Sequence, residues 1–179
     1  MRRAAATFAI AGAFLSTALF CAKVSGDARS LLLPPGWRMP VASEVGAARL
    51  ANAAGKGHLI VEGDFNGDGL VDRAVLLVRC EGRRFGLFAF LSSRSGQPKA
   101  YLLHENSIEL LRRIGIQLVK PGRYETACGK KYTDTCGHHN LPVIHLEHDA
   151  INYFQPESAE AYFYWDQATG KFDIVYISD

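Results

Sequence analysis

The chain has 179 residues, of which 48% are hydrophobic and 21% are charged. This is the composition of a globular protein with a buried core, and it excludes an intrinsically disordered chain. The formal net charge is +2, but residues 1–26 hold three of the 20 bases and none of the 18 acids, so the remainder has 17 bases against 18 acids, a net charge of −1. That balance excludes a general electrostatic attraction to nucleic acid or to an anionic surface.

The N-terminal residues have the features of a secretory signal. Two arginines precede an uncharged, alanine-rich run that ends at Lys23, and small residues follow it. This pattern predicts a signal peptide over residues 1–26, removed on export to leave a domain at 27–179 in the periplasm or outside the cell. Two alternatives remain open: an uncleaved anchor, since the run is nearly long enough to span a bilayer, and lipidation at Cys21. In either case the membrane would be contacted only through the N-terminus.

The segment after the signal is predicted to be extended and then helical. Three prolines between residues 34 and 40 oppose regular structure, which favours an extended lead-in with Trp37 as an anchoring side chain. Ser43 is then an N-cap candidate, and apolar residues at helical spacing continue until Gly55. One short N-terminal helix follows from this pattern.

From His58 onward the pattern changes to short strands separated by turns. A helical turn capped by Asn106 or Ser107 is the exception, and "DQATGK" near the C-terminus has the Asp and Gly of a hairpin loop. Sequential strands joined by tight turns form an antiparallel meander. Together with the one N-terminal helix, this predicts a single domain of the α+β class, with a mainly antiparallel sheet. The patterns predict seven to nine strands, of which seven have readable bounds: 58–63, 73–80, 84–92, 99–104, 116–120, 159–165 and 172–178.

Three cysteines remain after the signal, and an oxidising compartment favours their pairing. Cys128 and Cys136 flank a short loop rich in Gly and Lys, and they are the predicted disulfide. Cys80 is then left over and is predicted to be a buried thiol at a strand end. The odd number means that the spacing alone does not fix the pairing.

An acidic loop, "GDFNGDGLVD", separates the first two of these strands. It offers oxygen atoms from the side chains of Asp64, Asn66, Asp68 and Asp72 and from the carbonyl of Leu70. Calcium takes about six to eight oxygen ligands, and without a cation the carboxylates would repel one another. The two glycines inside the loop allow the positive φ angles that tight winding requires. The loop therefore predicts a Ca²⁺ site, the alternative being an ordinary Asn-Gly turn with solvated acids.

The D-x-N-x-D-G-x-x-D pattern from Asp64 to Asp72 resembles the calcium loop of FG-GAP or VCBS repeats in integrin-like propellers. The resemblance covers Ile60 to Val78 and implies a cation-binding loop between two strands. The loop is not an EF-hand, because Val75 stands where an EF-hand has glutamate and the flanks are strands. A propeller has several copies and this chain has one, so the resemblance implies the loop and its ligands only. Small exported bacterial proteins of VCBS-like type look similar, with one such loop and an aromatic C-terminal hairpin.

A histidine-rich segment, "CGHHNLPVIHLEHD", runs from Cys136 to Asp149 and holds four of the six histidines. On a strand, His145, Glu147 and Asp149 would share one face, and His138 would complete a transition-metal site for hydrolysis. The segment lacks the H-E-x-x-H spacing of zinc proteases and the second half of a zinc deaminase motif. A polar strand face is therefore the favoured interpretation.

These patterns predict an exported calcium-binding module that acts by binding another protein and not by catalysis. An inhibitor or immunity-type partner of a secreted toxin would be such a module, by analogy of class alone. The alternative is a metal-dependent hydrolase that uses residues 138–149. In "YFYW", residues 162–165, alternate side chains face opposite sides, so either both faces of the sheet are covered or an aromatic patch is displayed for a partner.

Overall fold

Antiparallel strands dominate the computed structural model, which describes residues 32–45, 58–132, 136 and 141–178. This part of the chain contains eleven strands, an α-helix of four residues and one turn of 3₁₀ helix. The helix α1 is Ala42–Val45 and the 3₁₀ turn is Ile108–Leu110. The strands are β1 (Trp37–Arg38), β2 (Ile60–Gly63), β3 (Asp72–Arg79), β4 (Arg84–Leu91), β5 (Lys99–Ser107), β6 (Gly115–Val119), β7 (Gly122–Glu125), β8 (Val143–Leu146), β9 (Ala150–Phe154), β10 (Glu160–Asp166) and β11 (Lys171–Ser178).

The first sheet contains the predicted meander. Strands β2 to β5 pair in sequence, all antiparallel, and β1 lies beside β2 along the same edge of β3. Strand β3 is apolar on both faces, because Leu76 packs in the main core while Val75 and Leu77 pack on the other side against the lead-in. There Trp37 meets Phe88 edge-on, with ring centroids 4.8 Å apart. The predicted role of Trp37 as the anchor of an extended lead-in is confirmed.

The second sheet has the strand order β11-β10-β9-β6, and β7 and β8 form a separate two-stranded ribbon. A bridge between His58 and Ile116 joins the first sheet to the second, with N–H···O distances of 2.8 and 3.1 Å. The sheets then pack face to face, since the Tyr101 ring of β5 lies 5.7 Å from both Trp165 and Phe172. The main core lies between them.

Both faces of β10, the first strand of the C-terminal hairpin, are covered. Phe163 and Trp165 face the first sheet, whereas Tyr162 and Tyr164 pack towards the β7–β8 ribbon. The Tyr162 ring meets Tyr124 of the ribbon at 5.4 Å. The alternation in "YFYW" thus reflects a sheet buried on two sides, and core packing accounts for these aromatic residues.

Only residues 43–45 of the predicted N-terminal helix lie among the described residues, and they are helical. Helix α1 begins one residue before Ser43, and the amide of Val41 donates to the Glu44 carboxylate at 2.9 Å, so Val41 and not Ser43 holds the cap position. The rest of the predicted helix lies within residues 46–57, outside the described part. Among the described residues the fold is mainly antiparallel β, with very little helix.

The three cysteines among the described residues are disulfide-bonded. Cys128 and Cys136 form the predicted disulfide, with Cα atoms 5.5 Å apart. Cys80 is disulfide-bonded as well, which corrects its prediction as a free thiol. Such bonds fit an oxidising compartment. The predicted signal at 1–26 also lies outside the described residues, and no described helix is long and apolar enough to cross a membrane.

Candidate functional site

The acidic loop connects β2 to β3 and is wound around the carboxylate of Asp64. One Asp64 oxygen accepts hydrogen bonds from the amides of Gly67 and Asp68 at 2.8 and 3.1 Å, and the other accepts from Gly69 at 2.9 Å. Gly67 and Gly69 have φ angles of +75° and +79°, the left-handed conformation that the sequence predicted for them. Asp64 therefore draws successive amides towards one point.

Asn66 and Asp68 make further hydrogen bonds within the same loop. Asp68 accepts from the Leu70 amide at 2.8 Å with one oxygen and from the Asn66 side-chain amide at 3.1 Å with the other. The Asn66 side-chain oxygen accepts from the Asp68 amide at 3.2 Å. Each of these oxygens has a lone pair beyond those used in the loop. The set is made of hard oxygen donors, as calcium prefers.

Asp72 lies behind the loop with its side chain fully buried. Its two oxygens accept hydrogen bonds from the amides of Phe65 at 3.0 Å and Ser92 at 2.7 Å, which ties the start of the loop to the end of β4. Burial raises the pKa of the Asp72 carboxyl to about 6; the two amide hydrogen bonds lower it, and the negative charges of Asp68 and Asp64 raise it further. A buried carboxylate is thus held near two other acids.

No base offsets these charges within the described residues. None of the ion pairs there includes Asp64, Asp68 or Asp72. The same residues contain no group of three or more His, Cys, Asp or Glu side chains gathered to hold a metal, so the three aspartates do not by themselves form such a cluster. The chemistry of the donor set fits calcium, with Asn66 and the Leu70 carbonyl as the further oxygens.

Two turns of the second sheet hold the loop from outside. In the β8–β9 turn, the Asp149 carboxylate accepts from the Asp64 amide at 3.1 Å, and the His148 ring lies against Gly67. In the β10–β11 turn, the side-chain nitrogen of Gln167 donates to the Asn66 carbonyl at 2.6 Å. The same nitrogen lies 3.0 Å from Nε2 of His148, which makes that ring nitrogen the acceptor. Two turns of the second sheet therefore hold the acidic loop of the first sheet in place.

Asp149 is held in turn by Lys120. The lysine Nζ lies 3.2 and 3.3 Å from the two Asp149 oxygens, and the aspartate side chain is only 13% exposed. Gly63 packs beside it, since a Cβ there would stand 2.9 Å from the Asp149 oxygen and 2.6 Å from Leu118. The charge of Asp149 is thus paired with Lys120, and its carboxylate holds the first residue of the acidic loop, Asp64.

The residues of the predicted histidine site are separated. His145 lies on β8 and Glu147 follows it, both exposed, whereas Asp149 is turned towards the acidic loop. His138 lies outside the described residues. Within the described part of this segment no metal-binding group forms.

Sequence reasoning missed the residues that hold the loop from outside. In the sequence, His148 lies in the histidine-rich segment and Gln167 lies in the hairpin turn "DQATGK". Nothing local to either residue indicates a contact with a loop so far away in the chain. A weak signal was available for Phe65, an apolar residue within a polar loop, which is fully buried and anchors it.

Comparison of the chain with protein-family profiles, with curated proteins and with solved structures finds no match.

Proposed function

We propose that the protein is an exported calcium-binding module in which the loop from Asp64 to Asp72 holds the ion. The direct ligands would be the side-chain oxygens of Asp64, Asn66, Asp68 and Asp72 and the carbonyl of Leu70. The resemblance of this loop to FG-GAP or VCBS calcium loops supports the proposal. Its position between two strands supports it too.

The observation that carries the proposal is the buried Asp72 carboxylate beside two further acids. Its pKa is raised mainly by burial and further by the charges of Asp68 and Asp64, so its negative charge is disfavoured, and no ion pair among the described residues includes any of these three acids. A divalent cation would offset two of these three negative charges. Calcium is favoured over magnesium because it accepts irregular, oxygen-rich sites with more ligands.

The test is unfolding of the mature domain at pH 7.5 with EDTA, calcium, magnesium or zinc. A ligand that binds only the folded state at about 100 times its Kd raises the unfolding free energy by about 2.7 kcal/mol. We expect this response to calcium and its loss in Asp68→Asn. The matched control is Glu62→Gln, which removes one neighbouring negative charge outside the loop and should retain the response. A zinc response without a calcium response would contradict the proposal.

The module would act by binding another protein. Three large side chains, Tyr132, Leu141 and Tyr176, are 58%, 60% and 51% exposed. The backbones of Tyr132 and Tyr176 hydrogen-bond to Ala127, and the Leu141 carbonyl accepts from the Thr126 hydroxyl, beside the Cys128–Cys136 bridge. Exposed tyrosines are enriched in protein interfaces, which supports this end of the ribbon as the contact surface.

A photo-crosslinking residue at position 176 tests this part of the proposal. Expressed in the native host, the exported protein should yield a discrete adduct from position 176. The control position is 102 on β5, where the leucine is 47% exposed but lies on the other sheet. Equal crosslinking at both positions, or none at 176, would contradict it.

A further inference from the structure

We propose that Gln167 is a positioning residue for the calcium loop, so that cation binding and the order of the β10–β11 turn are coupled. This inference rests on the proposed calcium function. It concerns a residue that supplies no ligand to the ion and that lies on the other sheet.

The coupling is carried by one side-chain amide. Gln167 Nε2 donates to the backbone carbonyl of Asn66 at 2.6 Å and lies 3.0 Å from His148 Nε2. The His148 ring in turn lies against Gly67, where a Cβ would stand 2.2 Å from the ring. Gln167 therefore fixes the loop backbone directly at Asn66 and indirectly, through His148, at the next residue.

The turn that presents Gln167 is itself well held. Asp166 accepts hydrogen bonds from the Ala168 amide at 2.9 Å and the Thr169 hydroxyl at 2.8 Å. The Gly170 amide closes the turn on the Asp166 carbonyl at 2.9 Å, with Gly170 at a φ of +62°. The side chain of Gln167 thus extends towards the loop from a defined backbone.

Fixing the Asn66 backbone in advance lowers the entropy that the loop loses when it closes on a cation. Thermodynamic linkage makes this effect reciprocal: if the turn favours the cation, the cation favours the ordered turn. Residues that orient metal ligands without contacting the metal typically change its affinity by about 10-fold or more when removed.

The experiment measures calcium affinity by calorimetry and amide hydrogen exchange of residues 166–170. Gln167→Ala and Gln167→Glu both remove the donor to Asn66, and each should raise the Kd for calcium about 10-fold. Thr169→Ala is the matched control, because it loosens the same turn but keeps the donor to Asn66, and it should raise the Kd by much less than either Gln167 variant. In the unaltered protein, calcium should slow exchange at 166–170, and this protection should be lost in Gln167→Ala.

The outcomes separate the two proposals. If the unaltered protein binds calcium while Gln167→Ala keeps the same Kd and calcium gives no protection at 166–170, the inference is wrong and the calcium function stands. If Gln167→Ala and Thr169→Ala weaken binding equally, Gln167 acts only through the stability of its turn, and the positioning role is wrong. If calcium gives no heat with the unaltered protein and does not raise its unfolding free energy, both proposals fail.

Discussion

The imidazole of His148 lies so close to Gly67 that a Cβ added at that glycine would stand 2.2 Å from its Cε1 atom. Gly69, two residues further on, has nearly the same positive φ but nothing within 4 Å of its added Cβ. The two glycines thus have the same conformational requirement, and only one of them also has a packing requirement.

Gly67→Ala should therefore cost more unfolding free energy than Gly69→Ala. A left-handed alanine costs about 1–2 kcal/mol at either position, and at Gly67 the displacement of His148 from Gln167 adds to it. Urea unfolding of both variants measures the difference. In a His148→Ala background the two costs should become equal, since the ring that distinguishes the sites is gone. Equal costs in the presence of His148 would contradict the close contact.

A second prediction concerns pH and Asp72 in the calcium-free protein. Its pKa is raised from 3.8 to about 6 by burial, so the fold favours the protonated form. The destabilising contribution of the charged form is therefore present above pH 6 and declines as the pH falls towards 4. On lowering the pH from 7.5 to 4.5, this one group should add about 2 kcal/mol to the unfolding free energy.

The matched variant is Asp72→Asn, which removes the titration. Urea unfolding at pH 7.5 and pH 4.5 gives the change in unfolding free energy for each protein. This change should be more favourable in the unaltered protein than in Asp72→Asn, and the difference is the contribution of Asp72. With calcium present, the gain on lowering the pH from 7.5 to 4.5 should be smaller, because the bound cation already offsets the negative charge of Asp72 at pH 7.5. Identical pH responses of the two proteins would contradict the electrostatic account.

The local parts of the fold were predictable because local physics determines them. The β10–β11 hairpin follows from alternating apolar residues around a turn with Gly170 at a positive φ, and Gly67 and Gly69 follow from the winding of the loop. Pairing between distant segments is different. The bridge from His58 to Ile116 that joins the two sheets depends on chain closure over many residues, and neither residue has a distinctive local pattern.

The candidate site divides in the same way. The oxygen-bearing residues from Asp64 to Asp72 are recognisable by their spacing, because alternate residues of a tight loop turn towards one centre. The residues that hold the loop, His148 and Gln167, come from two other turns and meet it only in the folded protein. The strands without predicted bounds, β1, β7, β8 and β9, are two to five residues long, and such short runs show little periodicity.

A third prediction concerns the lead-in. Trp37 covers the outer face of the first sheet, where it packs on Phe88, and the Arg79 guanidinium lies 5.3 Å from the ring centre. Trp37→Ala would expose this face and should lower the unfolding free energy by about 3 kcal/mol. Leu32→Ala is the control, because Leu32 is 59% exposed and its removal should change stability by less than about 0.5 kcal/mol. Comparable losses in both variants, measured by urea unfolding, would mean that the lead-in packs differently.

The last prediction separates global stability from cation affinity. The Cys128–Cys136 bridge follows the end of β7, where Glu125 pairs with Val143, whereas the opposite end of the ribbon, at Leu146, leads into the turn that contacts the acidic loop. Replacing both cysteines with serine should lower the unfolding free energy by about 2–3 kcal/mol, because the unfolded chain gains the entropy of an open loop.

The same double variant should keep the calcium Kd of the unaltered protein, because hydrogen bonds from Thr126 to Leu141 and from Ala127 to Tyr176 still hold the base of the ribbon. Calorimetry at a temperature where the variant remains folded, as checked by circular dichroism, measures this. A higher Kd would show that the bridge helps to position the β8–β9 turn. The disulfide would then stabilise the positions of His148 and Asp149 through β8. An unchanged Kd would mean that the acidic loop is held only by its contacts with the β8–β9 and β10–β11 turns, without help from the disulfide.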